Sequence, residues 1–385
     1  MFENNLKIRN TGTVTVKKVT TKSMLKEFIM LPWSAGLYEN DPAWVPPIIK
    51  EQKKFLDPKK GYFFEIGEAV YFLAYKNGKP SGRISAHINR LYEEKYDKET
   101  GFFGFFESIN DIDVARALFT AAEDWLLSRG KSKINGPQNF SIYDQIGFEV
   151  HGENVLPVTG LGHYAPYYKD FVSACGFIKC ADWHCVLVKD IEDYKPFLDR
   201  VRNSLMEKID VTFTTLKKSE IKTRAQDIKT IFNKAWESNW GHLPLTDRQF
   251  DELFKELSMI IIPELTIFAE KDGETVGFIV SIPDTSPAMK YLNGRMYPWQ
   301  LPKVLKMIKS TNRLRTIIMG VLPEHRRKMI DTVFYLKTIE TGTTMGYESS
   351  DCCMVVETNT RLLNALKRLK CEIYKTYRLY EKKIG

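Results

Sequence analysis

Residues Val321 to Phe334 read VLPEHRRKMIDTVF. An apolar run, Thr316 to Met319, precedes them and a helical pattern follows, so the segment reads as strand, basic turn and helix. A helix start presents backbone N–H groups with no intrahelical acceptor, and these attract anions. Arg326, Arg327 and Lys328 stand together just before the helix and reinforce that attraction. The chemistry such a turn supports is holding the phosphates of a nucleotide-like cofactor.

A second set of polar residues lies in the loop Gln138 to Pro166, with Asn139, Tyr143, Asp144, His151 and His163 leading to Tyr167 and Tyr168. Loops longer than about 15 residues inside compact domains tend to be functional, so Asn139, Tyr143, Asp144, Tyr167 and Tyr168 are candidates for a substrate-facing wall. His87, in an apolar strand pattern, reads as a satisfied core or sheet-face histidine rather than a base. Cys175, Cys180 and Cys185 are each separated by four residues, and the close C-x-x-C pairing of a zinc site is absent, so buried reduced thiols and no metal are expected.

The elements that must position these groups come in two copies. YFLAYKNGKPSGRI (Tyr71 to Ile84) and TIFAEKDGETVGFI (Thr266 to Ile279) align without gaps at an offset of 195 residues, Ala74 falling on Ala269 and Gly82 on Gly277. Each reads as a hairpin turning at Asn77-Gly78 or Asp272-Gly273. The first is followed by the strand GFFGFFES, a helix opening at Asp111, the strand KINGP, a helix near Tyr167 to Ala174, and strands at Gly176 to Lys179 and Trp183 to Val188 that complete that half. The second is followed by the strand Thr316 to Val321, a helix over Ile330 to Glu340, the strand CCMVV, a helix over Arg361 to Leu369 and a last strand, Cys371 to Lys382. The charged stretch KDIEDYK divides residues 1–190 from residues 191–385.

A chain of 385 residues with 43% apolar content is long enough for two packed domains. No stretch approaches the length of a membrane span and the N-terminus lacks an apolar signal core, so no membrane partner and a cytoplasmic location are expected. The net charge of +8 does not choose a partner by itself. Lys303, Lys306 and Lys309 lie opposite Leu301, Val304, Leu305 and Ile308 on a helical wheel and read as a solvated helix face. Without interleaved aromatic platforms the basic residues do not point to nucleic acid.

The order hairpin, strand, basic turn, helix, strand, helix, strand resembles the GNAT superfamily of acyl-CoA-dependent N-acyltransferases. VLPEHRRKMID and VVETNTRLLNALKRLKCEIYKTYRLYEK carry the resemblance in the C-terminal half. In the N-terminal half GKPSGRISAHIN, FFGFFES and INGPQNFSIYDQIGFEVHG are similar to bacterial GNAT-like proteins. The resemblance implies an α+β fold of two tandem GNAT-like domains, each a mixed, mostly antiparallel twisted sheet flanked by helices. It implies transfer of an acetyl or acyl group from an acyl-CoA to a small-molecule or peptide amine; the alternative is a catalytically silent tandem protein kept as a ligand-binding scaffold.

By the same resemblance, cofactor contacts fall on Met319 and Val321 of the fourth strand, on Arg326, Arg327, Lys328, Met329, Ile330 and Asp331 of the turn, and on Asn359. Met329 and Asp331 replace the glycines of the superfamily's pyrophosphate turn, which argues for weakened or abolished cofactor binding, while the basic triplet argues for an anion site. Leu366 stands where the superfamily's helix tyrosine, a common general acid, is expected, so no catalytic residue is assigned. FFGFFESINDID brings no cations to the equivalent turn of the first half, which is expected to hold no cofactor phosphate.

Overall fold

A computed structural model of the chain describes residues 13–189, 209–368 and 371–385, together with Tyr194, Asp199 and Arg202. The expected division at residues 190 and 191 lies outside the described residues. The N-terminal half runs β1 (Val14–Lys18), α1 (Lys22–Ser34), α2 (Ile49–Phe55), β2 (Gly67–Lys76), β3 (Lys79–Asn89), α3 (Arg90–Lys95), β4 (Thr100–Ser108), α4 (Ile112–Leu127), β5 (Lys133–Gly136), β6 (Phe148–His151), α5 (Tyr168–Ala174) and β7 (Ile178–Val188). The C-terminal half runs β8 (Thr212–Thr215), α6 (Ile221–Trp236), α7 (Asp247–Leu257), β9 (Thr266–Lys271), β10 (Glu274–Pro283), α8 (Ser286–Leu292), α9 (Leu301–Lys309), β11 (Arg313–Val321), α10 (Ile330–Thr344), β12 (Ser349–Val356), α11 (Thr360–Arg368) and β13 (Glu372–Lys383). None of the described helices is long and apolar enough to cross a membrane.

Both hairpins form, and their pairing keeps the offset of the sequence repeat: Ala74 faces Gly82 in one and Ala269 faces Gly277 in the other. At the turns, Asn77 and Gly78 have φ of 53° and 76°, and Asp272 and Gly273 have 51° and 84°, the left-handed values a two-residue turn demands. Gly82 and Gly277 are glycine because helices cross close above them. A Cβ at Gly82 would meet Leu118 and Val114 of α4 at 2.7 and 2.9 Å, and one at Gly277 would meet Phe334 of α10 at 3.2 Å. Helix α4 starts as expected, the Asp111 carboxylate accepting from the amides of Asp113 and Val114.

The last strands do not complete their own halves. All the described strands join one thirteen-stranded sheet in the order β1-β2-β3-β4-β5-β13-β7-β12-β11-β10-β9-β8, with β6 also on β13. The C-terminal strand β13 lies between β5 and β7, and β7 in turn pairs with β12. Each half is thus closed by the other's terminal strand. The two short strands expected over Gly176 to Val188 are a single strand, bent by bulges that let it follow β13 on one side and β12 on the other.

Helix α9 differs from the expected pattern. Val304 is buried against Ala288 and Leu292 of α8, with Met307 and Ile308 beside it, but Leu301 and Leu305 remain 46% and 47% exposed. The buried face is rotated toward α8, so one edge of the apolar stripe emerges beside the lysines. His87 is buried as expected, stacked on Phe102 at 5.6 Å and against Phe63 and Phe140, but neither ring nitrogen has a hydrogen-bond partner.

Candidate functional site

In the C-terminal half, β11 and β12 pair in parallel only over Arg313–Thr316 and Ser349–Cys352. Beyond that point β12 turns to β7, Val355 facing His184 and Val356 facing Trp183. The remainder of β11, from Ile317 to Val321, is left with β10 alone, and a wedge opens along its other edge. Leu322 N donates to Val276 O at 2.9 Å, which sets the alternation so that Met319 and Val321 turn their N–H and C=O groups into the wedge. Met319 O accepts from Trp236 Nε1 at 2.9 Å. The other three groups have no partner among the described residues.

The matching wedge of the N-terminal half is filled by the chain itself. β4 and β5 pair over Thr100–Phe102 and Lys133–Asn135, after which Gln138 N donates to Phe103 O at 2.8 Å. Asn139 Oδ1 accepts from Phe105 N at 2.7 Å, and Phe140 is wholly buried. Asn139, expected on a substrate wall, therefore occupies the place along β4 that stays open along β11.

The basic turn leads out of the open edge. Arg327 and Met329 have φ of 63° and 61°; Met329, at one of the two glycine positions, thus keeps a left-handed backbone, while Asp331, at the other, lies within α10. The Met329 side chain is 41% exposed, and Ile330 is buried beneath the start of α10. Amides of Arg327, Lys328, Met329, Ile330 and Asp331 have no acceptor within the protein among the described residues. The Asp331 carboxylate takes one amide of the first turn, Thr332 N at 2.9 Å, and meets Arg361 at 3.3 Å, which offsets its charge. Arg327 and Lys328 are exposed and carry no ion pair among the described residues, whereas the Arg326 guanidinium is bound to Ala235 O at the end of α6. Asn359 caps α11 through Leu362 N at 3.3 Å. The amides without acceptors and the exposed Arg327 and Lys328 are, among the described residues, groups a diphosphate could meet.

Beside the wedge, the loop after α6 reaches across to the N-terminal half. Trp236 packs on Phe232 at 4.9 Å and Phe232 on His242 at 5.5 Å. His242 Nδ1 lies 2.6 Å from the Tyr143 hydroxyl, which also meets Leu243. Lys95 at the end of α3 and Tyr96 just after it donate to His242 O at 2.9 and 3.0 Å. Burial, with the Lys95 charge, lowers the His242 pKa to about 4, so its imidazole is neutral at physiological pH. Between these elements is a cavity of about 500 Å³ walled by Tyr92 and Tyr96, by Trp240 and Glu237, and by Asn135 and Glu381. Trp236, Trp240 and His242 escape a reading of the sequence because each is a single residue, at the end of α6 or in the loop after it, with no spacing that marks it.

The expected wall residues have divided placements. Tyr143 lines the contact between the halves. Asp144 is held by Tyr62 at 2.8 Å and Ser141 at 2.6 Å, and burial pushes its pKa up to about 7. Tyr167 donates to Ser108 O, and Tyr168 is wholly buried with its hydroxyl on Glu107 Oε2 at 2.8 Å, inside the N-terminal core rather than on a surface.

At the closed end of the wedge, Asp351 of β12 is fully buried and accepts from Arg313 at 2.7 Å and from the Tyr374 hydroxyl. Cys185 and Cys353 are close enough to Asp351 to share a metal ion, but Arg313 and Arg315 lie against the same groups and already balance their charge. No disulfide forms among the described residues. Leu366 is buried in a small apolar cluster with Val186, Val188, Cys352 and Val355, so its position is one of packing.

No family model matches the chain. It is 33% identical over 377 residues to Protein YghO of Escherichia coli (strain K12), covering 96% of this chain and 95% of that protein. It is 32% identical over 377 residues to the bacterial ceramide synthase of Caulobacter vibrioides (strain NA1000 / CB15N), covering 96% and 97%. A solved tandem GNAT protein from the clavulanic acid biosynthesis pathway shares the fold with a TM-score of 0.54 at 11% identity, covering 97% of this chain and 99% of that one.

Proposed function

This chain belongs to the bacterial GNAT-like family of YghO and the bacterial ceramide synthase, and from that premise we propose that it is an N-acyltransferase that moves an acyl group from an acyl-CoA to the amine of a long-chain base. The observation that carries the proposal is the asymmetry of the two wedges. One is filled by Gln138 to Phe140; the other presents Met319 N and both main-chain groups of Val321 without partners among the described residues and ends at a turn whose amides and cations Arg327 and Lys328 are likewise unpaired there. An extended amide-containing arm adds to such an edge by main-chain hydrogen bonds. The amides from Arg327 to Ile330, with Arg327 and Lys328, would hold the diphosphate.

Bound there, an acyl-CoA supplies an activated acyl carbonyl as its thioester. The amine nitrogen bonds to that carbon, the carbon–sulfur bond breaks, one amine proton leaves to a base and the departing thiolate takes a proton. Trp236 fixes the edge beside Met319 by its indole hydrogen bond. The inter-half cavity is lined by Glu237 and Glu381 and equally by Lys95 and Lys133, so its charge is balanced, and its volume suits a small-molecule head group. The substrate class follows from the relative named as a ceramide synthase, since a ceramide is an N-acylated long-chain base. A cytoplasmic location is part of this reading.

The test is purified protein with acyl-CoA and a long-chain base, read as free thiol release and as the amide by mass spectrometry. Arg327→Glu with Lys328→Glu is expected to raise KM for the acyl-CoA about tenfold or more and to leave kcat within about twofold, because charge reversal at an exposed anion site removes binding rather than chemistry. Neither thiol release nor a rise in melting temperature with acyl-CoA would overturn the proposal. A second reading, a silent acyl-CoA-binding scaffold, draws on Leu366 in place of the helix tyrosine. It gives the rise in melting temperature without thiol release.

A further inference from the structure

The segment between β10 and β11 is unlike the rest of the surface. Tyr291, Met296, Tyr297, Trp299, Leu301 and Leu305 are between 39% and 74% exposed, Trp299 most of all. Elsewhere large exposed apolar side chains such as Ile178 and Met259 stand singly, which is ordinary for a protein surface. Here they are gathered: Tyr297 and Trp299 stack at 4.7 Å with their planes 4° apart, and Lys303 Nζ sits 4.0 Å above the Tyr291 ring. From Thr285 to Asn312 the chain has five cations, Lys290, Arg295, Lys303, Lys306 and Lys309, and no carboxylate.

We propose that α8, α9 and the turn between them form a docking surface for an anionic phospholipid bilayer. The charge selects this occupant. An apolar stripe in a segment whose own charged side chains are all cations is complementary to lipid phosphates, and the same surface on a second copy would meet its own charge. Tryptophan and tyrosine favour the interfacial zone because an apolar ring and a polar edge are both satisfied there. Leu301 and Leu305 lie along α9 between its buried face and Lys309 and Lys306, so a helix lying in the plane of the bilayer inserts the leucines while the lysine stems reach back to the headgroups.

The segment is held firmly to the body of the protein. Trp33 Nε1 donates to Asn293 Oδ1 at 3.0 Å, Ile49 N donates to Gly294 O at 2.9 Å, and Lys290 binds Pro42 O. It joins the sheet at Pro283 and Arg313, the closed end of the wedge, about 26 Å along β11 from the basic turn at the rate of about 3.3 Å per residue. The inference stands on exposure and charge and does not require that acyl transfer occurs.

The experiment is flotation of the full chain with vesicles of phosphatidylcholine alone and of phosphatidylcholine with phosphatidylglycerol, alongside sedimentation of the protein without lipid. The native chain is expected to float with the phosphatidylglycerol vesicles and to be released as salt rises. Trp299→Ser with Leu305→Ser, both at exposed positions, should weaken partitioning about tenfold or more. Lys303→Glu with Lys306→Glu should remove the preference for phosphatidylglycerol, each cation near an anionic surface contributing about fivefold. The proposal is overturned if the native chain floats with neither vesicle, or if the serine variant floats as well as the native chain. It is also overturned if the serine substitutions convert a dimer to a monomer without changing flotation, which would make the patch a contact between copies.

Discussion

Lys375→Ala is expected to destabilise the protein by about 3–5 kcal/mol, the usual cost of leaving one partner of a buried ion pair alone. Lys375 is wholly buried on β13, and its ammonium meets Glu149 Oε1 and, at 2.7 Å, Gly152 O. Glu149 is 2% exposed and its other oxygen accepts from Tyr164 N at 3.0 Å and lies 2.9 Å from His163 Nδ1. Without the ammonium, a carboxylate with no route to water keeps only His163 as counter-charge. Asp41, on the far nitrogen of that ring at 2.8 Å, shares the imidazolium, so His163 does not make good the loss.

Because β13 lies between β5 and β7, the lost stability belongs to both halves at once. Urea unfolding should show a lower midpoint with an unchanged slope in a single transition. Lys375→Met combined with Glu149→Leu should recover part of the loss, since replacing both charges removes the stranded one. A Lys375→Ala midpoint that corresponds to less than about 1 kcal/mol would show that the pair is not what holds β13 in place.

Acid should remove about 3 kcal/mol of stability between pH 6.5 and 4 through His87, at about 1.4 kcal/mol per pH unit. Burial lowers the pKa of His87 from 6.5 to about 3, because neither nitrogen can share a proton with a partner or with water. In the unfolded chain the ring protonates near its ordinary value, and in the folded chain it stays neutral. The stabilisation is therefore complete above pH 6.5 and is lost progressively as pH falls toward the folded value. His242, lowered to about 4, acts in the same direction. His163 acts oppositely: burial alone would lower its pKa, but Glu149 and Asp41 outweigh burial and raise it, so its contribution is present below pH 6.5 and fades as pH rises through its raised value.

His87→Leu, which swaps the ring for an apolar side chain among Phe63, Phe102 and Phe140, should flatten the acid limb while leaving neutral-pH stability within about 1.5 kcal/mol. Chemical unfolding measured across this pH range checks both statements. An unchanged acid limb in His87→Leu would place the sensitivity elsewhere. The sequence marked His87 as a core residue correctly, because an apolar strand pattern surrounds it. It did not show that the ring would go unpaired, since that depends on Phe140, which arrives from a loop more than fifty residues later and shields both nitrogens from water.

What the residues determined by themselves is local. Asn77-Gly78 and Asp272-Gly273 set their hairpins, Asp111 started α4, and the run from Arg326 to Lys328 marked a basic turn before a helix, because backbone preference, capping and helix-end charge act within a few residues. The resemblance to GNAT proteins was legible for the same reason: it is an order of such local elements. The missing glycines were a local matter too, and of those two positions Met329 keeps a left-handed φ while Asp331 lies within α10.

The tertiary structure alone decided which wedge stays open, that each half is closed by the other's last strand, and that His242 meets Tyr143. It also decided that Leu301 and Leu305 surface beside a row of lysines. Each of these depends on segments that meet across 34 or more residues, or on how far a helix rotates about its axis as it packs. Such pairings are chosen by the summed burial and hydrogen bonding of the whole sheet, to which any single stretch of sequence contributes too little to reveal the outcome.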